Sequence, residues 1–312
     1  MTKTDVIITI GSLGYGGAER FVSKTANFLQ SKGIRIKIVL LENLPIRYHL
    51  NEGINVVKPA FTKEDFSNKW LYALKLIFYL RDELKNETNN TLLNFISPSF
   101  FLFITIGLNL KIFISIRNNP SRFEFYDSHL LRRLIFGRAK GIIAQTNFAK
   151  EKLYEQTGHK NITVIPNFMD EVDYNERVKT NTIISVGRLI PSKGFDDLID
   201  IFANIKENSW SLKILGDGPM RNVLERKIKD LGLSDSVQIC GFVKDVDKHL
   251  LESKIFAFCS KTEGFPNALL EAMAIPLACI AYDCNAGPSE IIKDGVNGHL
   301  VQLNNKNEFQ KK

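Results

Sequence analysis

Short runs rich in Ile and Val recur through the chain, and segments of helical periodicity separate several of them. In the first half the runs fall at 6–12, 35–41, 54–58, 92–97, 112–117, 141–145 and 162–165. In the second half they fall at 182–186, 212–215, 237–240, 255–259, 277–282 and 299–301. Each is nearly continuous in apolar residues and does not alternate, which is the pattern of strands covered on both faces in a parallel sheet. Helical patterns occupy 18–31, 70–85, 194–204, 220–231, 247–253, 267–274 and 288–292. This order predicts an α/β protein built from two doubly wound domains. A chain of 312 residues also exceeds one ordinary core. The polar, aperiodic stretch 168–180 is the expected linker, giving domains over 1–168 and 181–312. The Asn/Lys-rich end LNNKNEFQKK reads as a low-complexity tail. In doubly wound sheets ligands bind beyond the carboxyl ends of the strands, so functional residues are sought in the loops that follow them.

Charge is unevenly placed. Residues 1–170 hold 23 Lys and Arg against 14 Asp and Glu, whereas residues 171–312 hold 18 against 20. A basic first half suits an anionic partner, either a phosphate-bearing substrate or an acidic lipid surface, and equally serves solubility. Nucleic acid is disfavoured because no aromatic-basic stacking motif appears. The first residues, MTKTDVIITIG, read as a strand and not as a signal peptide. The longest apolar run, 100–110, is about half the ~20 residues of a membrane span. The helical pattern at 70–85 sets Trp70, Leu74, Ile77, Phe78 and Leu84 on one stripe, with Lys69, Lys75, Arg81 and Lys85 around it. It reads either as a helix packed on its sheet or as a face for an anionic membrane. Cys240, Cys259, Cys279 and Cys284 lie in apolar segments without metal-ligand spacing, as reduced thiols of a cytoplasmic protein would.

The stretch TEGFPNALLEAMA, at 262–274, follows an apolar run and sets Glu263 before a turn and Glu271 inside a helix. Pro266 suits a first helical position. The N–H groups of Asn267, Ala268 and Leu269 would then be unpaired at a helix start, where an anion is favoured. Glu271 lies one turn after Asn267 and could accept from a ribose diol. Read alone, the stretch is also a plain strand–turn–helix connection with two solvated carboxylates. In VGRLIPSKG, at 186–194, Arg188 and Lys193 follow a strand, as a clamp for a diphosphate or as two exposed cations. In GSLGYGGAE, glycines at 16 and 17 let backbone approach a ligand, but Glu19 breaks the dinucleotide spacing. GDGP, at 216–219, reads as a strand end and turn. The D-x-D of 245–247 reads as a helix cap more simply than as a metal site. The histidines show no ligand spacing, and no metal is expected.

Taken together, these motifs resemble those of the retaining family-4 glycosyltransferases, whose signature is E-x7-E and whose fold is GT-B. EGFPNALLEAMA carries the signature. GSLGYGGAER (11–20), IPN (165–167), VGRLIPSKG (186–194), GDGP (216–219) and GPSEIIKDGVNG (287–298) follow in the family's order. The resemblance implies a sugar moved from a nucleoside diphosphate, UDP being favoured, to a saccharide or lipid-linked acceptor with retention, without metal or other cofactor. It assigns Arg188 and Lys193 to the pyrophosphate and Glu263 to the transferred sugar. Glu271 falls to the ribose, and Gly16 and Gly17 to the donor's phosphate and sugar. It carries Val243 over to the nucleobase, and Gly264, Phe265, Asn267, Ala268 and Leu269 over to the donor. Where many members have a His, this chain has SIRNNP (115–120), so Arg117 and Asn118 stand for the sugar or acceptor. Relatives continue beyond the last strand through further helices, so a shortened C-terminus is expected. The same resemblance leaves room for an inactive nucleotide-sugar-binding protein and for a GT-B epimerase. Surface-polysaccharide or lipopolysaccharide synthesis at the cytoplasmic face of the inner membrane is the expected setting.

Overall fold

The computed structural model describes residues 4–14, 16–87, 90–96, 104–119, 129–169, 178–205 and 209–312. Tyr15 of the first glycine motif, residues 100–103 of the apolar run and 170–177 of the expected linker lie outside the described residues. The chain forms two compact units. One comprises Met1–Gln145 with Ala149–Asn167, and the other Thr146–Phe148 with Phe168–Lys312.

The first unit is a seven-stranded parallel sheet of β1 (Val6–Ile10), β2 (Ile36–Leu40), β3 (Asn55–Val57), β4 (Thr91–Asn94), β5 (Lys111–Ser115), β6 (Gly141–Ala144) and β7 (Ile162–Val164). Its strand order is β3-β2-β1-β4-β5-β6-β7. β2 is buried along its whole length and β1 from its second residue on, as continuous Ile/Val runs require when helices cover both faces. The order reverses between β1 and β4. There Thr9 pairs with Asn94, and its hydroxyl donates to the side-chain oxygen Oδ1 of Asn94 at 2.7 Å. α1 (Gly17–Ser31) follows β1 and buries Phe21, Val22 and Ala26. α2 (Lys69–Lys85) begins at Asn68, whose side chain accepts from the Trp70 N–H. α2 buries Leu76, Leu80 and Leu84, so of the expected stripe Leu84 is buried in the core and Ile77 packs partly buried against it. Trp70, Leu74 and Phe78 point outward. Apolar residues lie on more than one face of this helix, and packing on the sheet chose which face is buried. Two helices of this unit escape the periodicity argument, α3 (His129–Gly137) and α4 (Asn147–Thr157).

The second unit is a six-stranded parallel sheet of β8 (Thr182–Val186), β9 (Ser211–Leu215), β10 (Val237–Gly241), β11 (Ile255–Phe258), β12 (Ala278–Asp283) and β13 (His299–Gln302). Its order is β10-β9-β8-β11-β12-β13, so the reversal lies between β8 and β11. Its helices are α5 (Phe195–Ala203), α6 (Arg221–Asp230), α7 (Val246–Leu251), α8 (Asn267–Met273), α9 (Pro288–Ile291) and α10 (Lys306–Lys311).

α10 corrects the expectation of a low-complexity tail. The Asn305 side chain accepts from the Glu308 N–H at 3.1 Å and donates to the Glu308 carboxylate at 2.9 Å, a reciprocal cap. Phe309 is buried edge-on against Tyr282, centroids 4.9 Å apart. Lys306 reaches Asp197 at 2.6 Å and Asp200 at 2.7 Å, which ties the helix to α5. Phe309, the half-buried Leu303 and the Lys306 pairs together dock a largely polar decapeptide.

Both sheets have the doubly wound order, and the fold is GT-B. The described residues hold no helix long and apolar enough to cross a membrane.

Candidate functional site

The crevice of a doubly wound sheet opens where neighbouring strands send their connections to opposite sides. In the second unit those strands are β8 and β11, hydrogen-bonded in parallel through Ile183↔Ile255 and Ile184↔Phe256. The loop after β8 carries Arg188 and Lys193, and the loop after β11 carries Glu263. Lys193 Nζ lies 2.5 Å from Glu263 Oε1, with side-chain exposures of 23% and 9%. Residues separated by 70 positions thus form an ion pair at the switch point.

Local backbone holds this pair. Residues Pro191–Lys193 make one 3-10 turn, ended by Gly194 at φ 66°. A Cβ at Gly194 would stand 2.0 Å from the Cys259 carbonyl oxygen, so glycine alone lets the turn lie on the end of β11. The Lys261 N–H donates to the Ser192 carbonyl at 2.8 Å, which stitches the two loops together. The stem of Lys193 runs along Gly187, next to Arg188. Arg188 is exposed and meets no carboxylate among the described residues.

The GDGP motif backs the first loop. Leu189 N–H donates to the Asp217 carbonyl at 2.9 Å, Met220 N–H to the Leu189 carbonyl at 3.0 Å, and Gly216 N–H to the Gly241 carbonyl at 2.8 Å. Strand end and turn is therefore only part of its role, because it also props the Arg188 loop against the end of β10. Val243, just beyond, is half-buried and packs into the core with Val246 and Leu250.

On the other side, the loop before α9 leans on the Glu263 turn. Ala286 has φ 70° and Gly287 φ 134°, two consecutive left-handed residues. A Cβ at Gly287 would stand 2.2 Å from Pro266 Cδ. This loop brings in Cys284, which motif reasoning passed over. Burial pushes its thiol up to about 12, the Glu263 carboxylate adds to the rise, and the Lys193 charge partly offsets it. A lone Cys, here between Asp283 and Asn285, carries no sequence signal of such a neighbourhood.

α8 differs from the expectation in two details. Pro266 caps the helix and does not begin it, and the Asn267 N–H is taken by the Phe265 carbonyl at 3.0 Å. Among the described residues nothing accepts from the N–H groups of Ala268 and Leu269, and Leu269 itself is buried. Gly264, Phe265 and Glu271 are half-buried along the same turn and helix. Asp245 is the cap position of α7, and the described residues contain no cluster of metal-ligating side chains.

In the first unit Gly16 caps α1. Its N–H donates to Tyr48 Oη at 3.3 Å, and the Tyr48 hydroxyl donates to the Gly16 carbonyl at 3.1 Å. Gly17 opens the helix. Arg117 follows β5 and stacks its guanidinium 3.5 Å from the Phe21 ring centroid. It donates to Ser115 Oγ at 2.9 Å and to Asn167 Oδ1 at 2.9 Å. Asn167 also accepts from Gln145 at 3.1 Å, so IPN and SIRNNP meet at one amide. Burial without a carboxylate partner lowers the Arg117 guanidinium to about 9, which leaves it charged at neutral pH. Asn118 is the next residue and is exposed.

Two family descriptions match the chain: "Glycosyltransferase Family 4" over residues 15–172 and "Glycosyl transferases group 1" over 169–312. An uncharacterized glycosyltransferase of Haemophilus influenzae is 30% identical over 98% of this chain and 87% of its own. A Campylobacter jejuni GalNAc-alpha-(1->4)-GalNAc-alpha-(1->3)-diNAcBac-PP-undecaprenol alpha-1,4-N-acetyl-D-galactosaminyltransferase is 27% identical over 97% of this chain and 86% of its own. HepE of Anabaena, solved with UDP-glucose, superposes with a TM-score of 0.77 at 19% identity, covering 98% of this chain and 88% of its own. The two descriptions together span residues 15–312, and the chain belongs to the group 1, family 4 glycosyltransferases.

Proposed function

We propose that the chain moves a hexose or N-acetylhexosamine from a UDP-linked donor to a hydroxyl of a saccharide or lipid-linked acceptor, with retention, in bacterial glycan synthesis. The observation that carries this reading is the Lys193–Glu263 pair at the crevice of the second sheet. A buried carboxylate holding a lysine is poised for exchange. A diphosphate arriving at Arg188 and Lys193 takes over the lysine's charge, and Glu263 is released toward the sugar. The anomeric C–O bond to the diphosphate breaks, a C–O bond to the acceptor oxygen forms, and the acceptor proton passes to a donor phosphate oxygen. Two fixed cations stabilise the departing diphosphate, and Glu263 stabilises the positive sugar. No divalent ion is required in this scheme. Glu271 takes the ribose, Val243 flanks the base, and the Gly264–Leu269 turn and helix start hold the donor. Gly16 and Gly17 serve the donor, and Arg117 and Asn118 the sugar or acceptor. UDP is favoured by the donor bound to HepE, and an N-acetylhexosamine by the activity named for the Campylobacter relative. The setting proposed for this reaction is the cytoplasmic side of the membrane.

The test is a thermal-shift screen with UDP, GDP, ADP and their sugar conjugates, with and without EDTA, followed by product analysis. Saturable stabilisation by UDP that ignores EDTA, and sugar transfer with retained configuration, are expected. No shift in a cooperatively melting protein overturns the donor site. Binding without turnover identifies a nucleotide-sugar-binding protein, and an epimerised nucleotide sugar an epimerase.

A further inference from the structure

We infer that Arg117 reads a carboxylate on the acceptor, so that the saccharide extended by this chain presents a uronic acid or a like acidic sugar. This rests on the sugar transfer proposed above, in which the donor sugar is neutral and the acid therefore falls to the acceptor. Arg117 leaves the end of β5 and stands at the switch point of the first sheet. Its guanidinium carbon lies 3.5 Å from the ring centroid of Phe21, on the helix after β1, and 5.7 Å from that of Phe95, just after β4. Nε donates to Ser115 Oγ at 2.9 Å. Nη1 donates to Asn167 Oδ1 at 2.9 Å and to the Ile165 carbonyl at 3.4 Å. Every one of these acceptors is neutral, and Nη2 meets none among the described residues.

A desolvated cation without a counter-charge is costly to the fold. No charged group among the described residues acts on this guanidinium, which burial alone perturbs. Such a charge at the crevice of a doubly wound sheet is explained when a ligand supplies the missing anion. Arg117 is half-buried, so its free edge is within reach. The stack and the three bonds fix its plane in advance, and Nη2 is presented with little side-chain entropy left to lose. The same cluster also lacks a donor. Gln145 gives its Nε2 hydrogen to Asn167 Oδ1, is 3% exposed, and its Oε1 accepts from nothing among the described residues. A sugar acid offers both complements, a carboxylate for Arg117 and a hydroxyl for Gln145. Charge number separates carboxylate from phosphate. One isolated cation matches a monoanion, whereas the diphosphate in the second unit is met by two, Arg188 and Lys193. The excess of nine positive charges over residues 1–170 favours the approach of an acidic saccharide.

The test adds D-glucuronate or D-galacturonate to the full chain saturated with UDP, at constant ionic strength. Each is compared with its methyl ester and with its parent hexose, by saturation-transfer NMR and thermal shift. At least one uronate should bind saturably, and its ester and hexose about tenfold or more weakly. Arg117→Gln should bring the uronate down to the level of its ester, while Arg117→Lys should retain part of the preference. Equal responses to uronate and ester in the parent overturn the inference, as does undiminished uronate binding by a cooperatively melting Arg117→Gln. Should that variant not fold, the ester comparison on the parent decides. UDP-glucuronate stabilising the parent more than UDP-glucose, with the difference lost in Arg117→Gln, would place the carboxylate on the donor and overturn its assignment to the acceptor. No shift by UDP fails the donor site first, and the acceptor assignment falls with it. A UDP shift with uronate and ester bound alike fails the acceptor carboxylate alone.

Discussion

Lys193 Nζ stands 2.5 Å from Glu263 Oε1, and the carboxylate is the more buried partner, 9% exposed against 23%. That asymmetry sets an order of effects. Lys193→Met leaves a buried carboxylate without its cation, whereas Glu263→Gln leaves a lysine that can turn to solvent. Denaturant unfolding without donor should show the Lys193 variant less stable than the Glu263 variant, the former losing about 1–3 kcal/mol. Turnover should fall in both by about 10²–10³-fold, the scale of a lost transition-state contact. A folded Glu263→Gln enzyme with undiminished turnover would sink the proposed role.

Gly287→Ala tests the loop behind the Glu263 turn. The new Cβ would meet Pro266 Cδ at 2.2 Å, and φ 134° is strained for alanine. The expected result is a loss of about 1–3 kcal/mol in stability and a weaker thermal shift by UDP, as Pro266 is pushed aside. Ala286→Gly, at φ 70°, should instead stabilise by up to about 1 kcal/mol.

Arg117 holds its place through a stacked and hydrogen-bonded contact set, 3.5 Å from the Phe21 centroid and 2.9 Å from Asn167. A lysine keeps the charge and loses the planar stack and the forked donors. Arg117→Lys should cost about 1–2 kcal/mol. Combined with Asn167→Ala the losses should be non-additive by at least about 0.5 kcal/mol, because both changes remove the same bond. Additivity in thermal or urea unfolding would show the two residues to be independent.

Strands were the most legible part of this fold. The strands among the described residues arise from apolar runs, and the inner ones, such as β1, β2 and β8, are buried almost throughout. Helices defined by polar residues were less so. α4, NFAKEKLYEQT, buries only Ala149, Leu153 and Thr157, too sparse a row to announce itself. α10 depends on Phe309 meeting Tyr282, a contact between distant parts of the sequence. The face that α2 buries was undecidable because apolar residues surround it. At the site, the types Arg188, Lys193 and Glu263 follow from the motifs, but the pairing of two of them needs β8 beside β11. The Asn167–Arg117 bond and the approach of Cys284 to Glu263 are likewise products of topology.

The Asp197 cluster makes the second unit sensitive to acid. Asp197 is 8% exposed and accepts from Lys261 at 2.9 Å and Lys306 at 2.6 Å. Burial alone would raise its carboxyl, but the hydrogen bonds from Lys306 and Lys261 outweigh it and hold the group below the ordinary carboxylate range. Asp200, beside Lys227 and Lys306, is lowered against the same opposing effect of burial. A carboxyl depressed in the folded state contributes stability above its unfolded value, near pH 4, and that contribution is lost as pH falls through the folded value. Stability of the parent should therefore decline below about pH 4. Asp197→Asn should lose about 2 kcal/mol at pH 7 and show a shallower decline in acid, since the titrating group is gone. The consequence reaches the site, because Lys261 both pairs with Asp197 and donates its N–H to Ser192, the residue before Lys193. Urea unfolding of both proteins between pH 3 and 7 decides the matter, and parallel profiles for parent and variant would remove Asp197 as the origin.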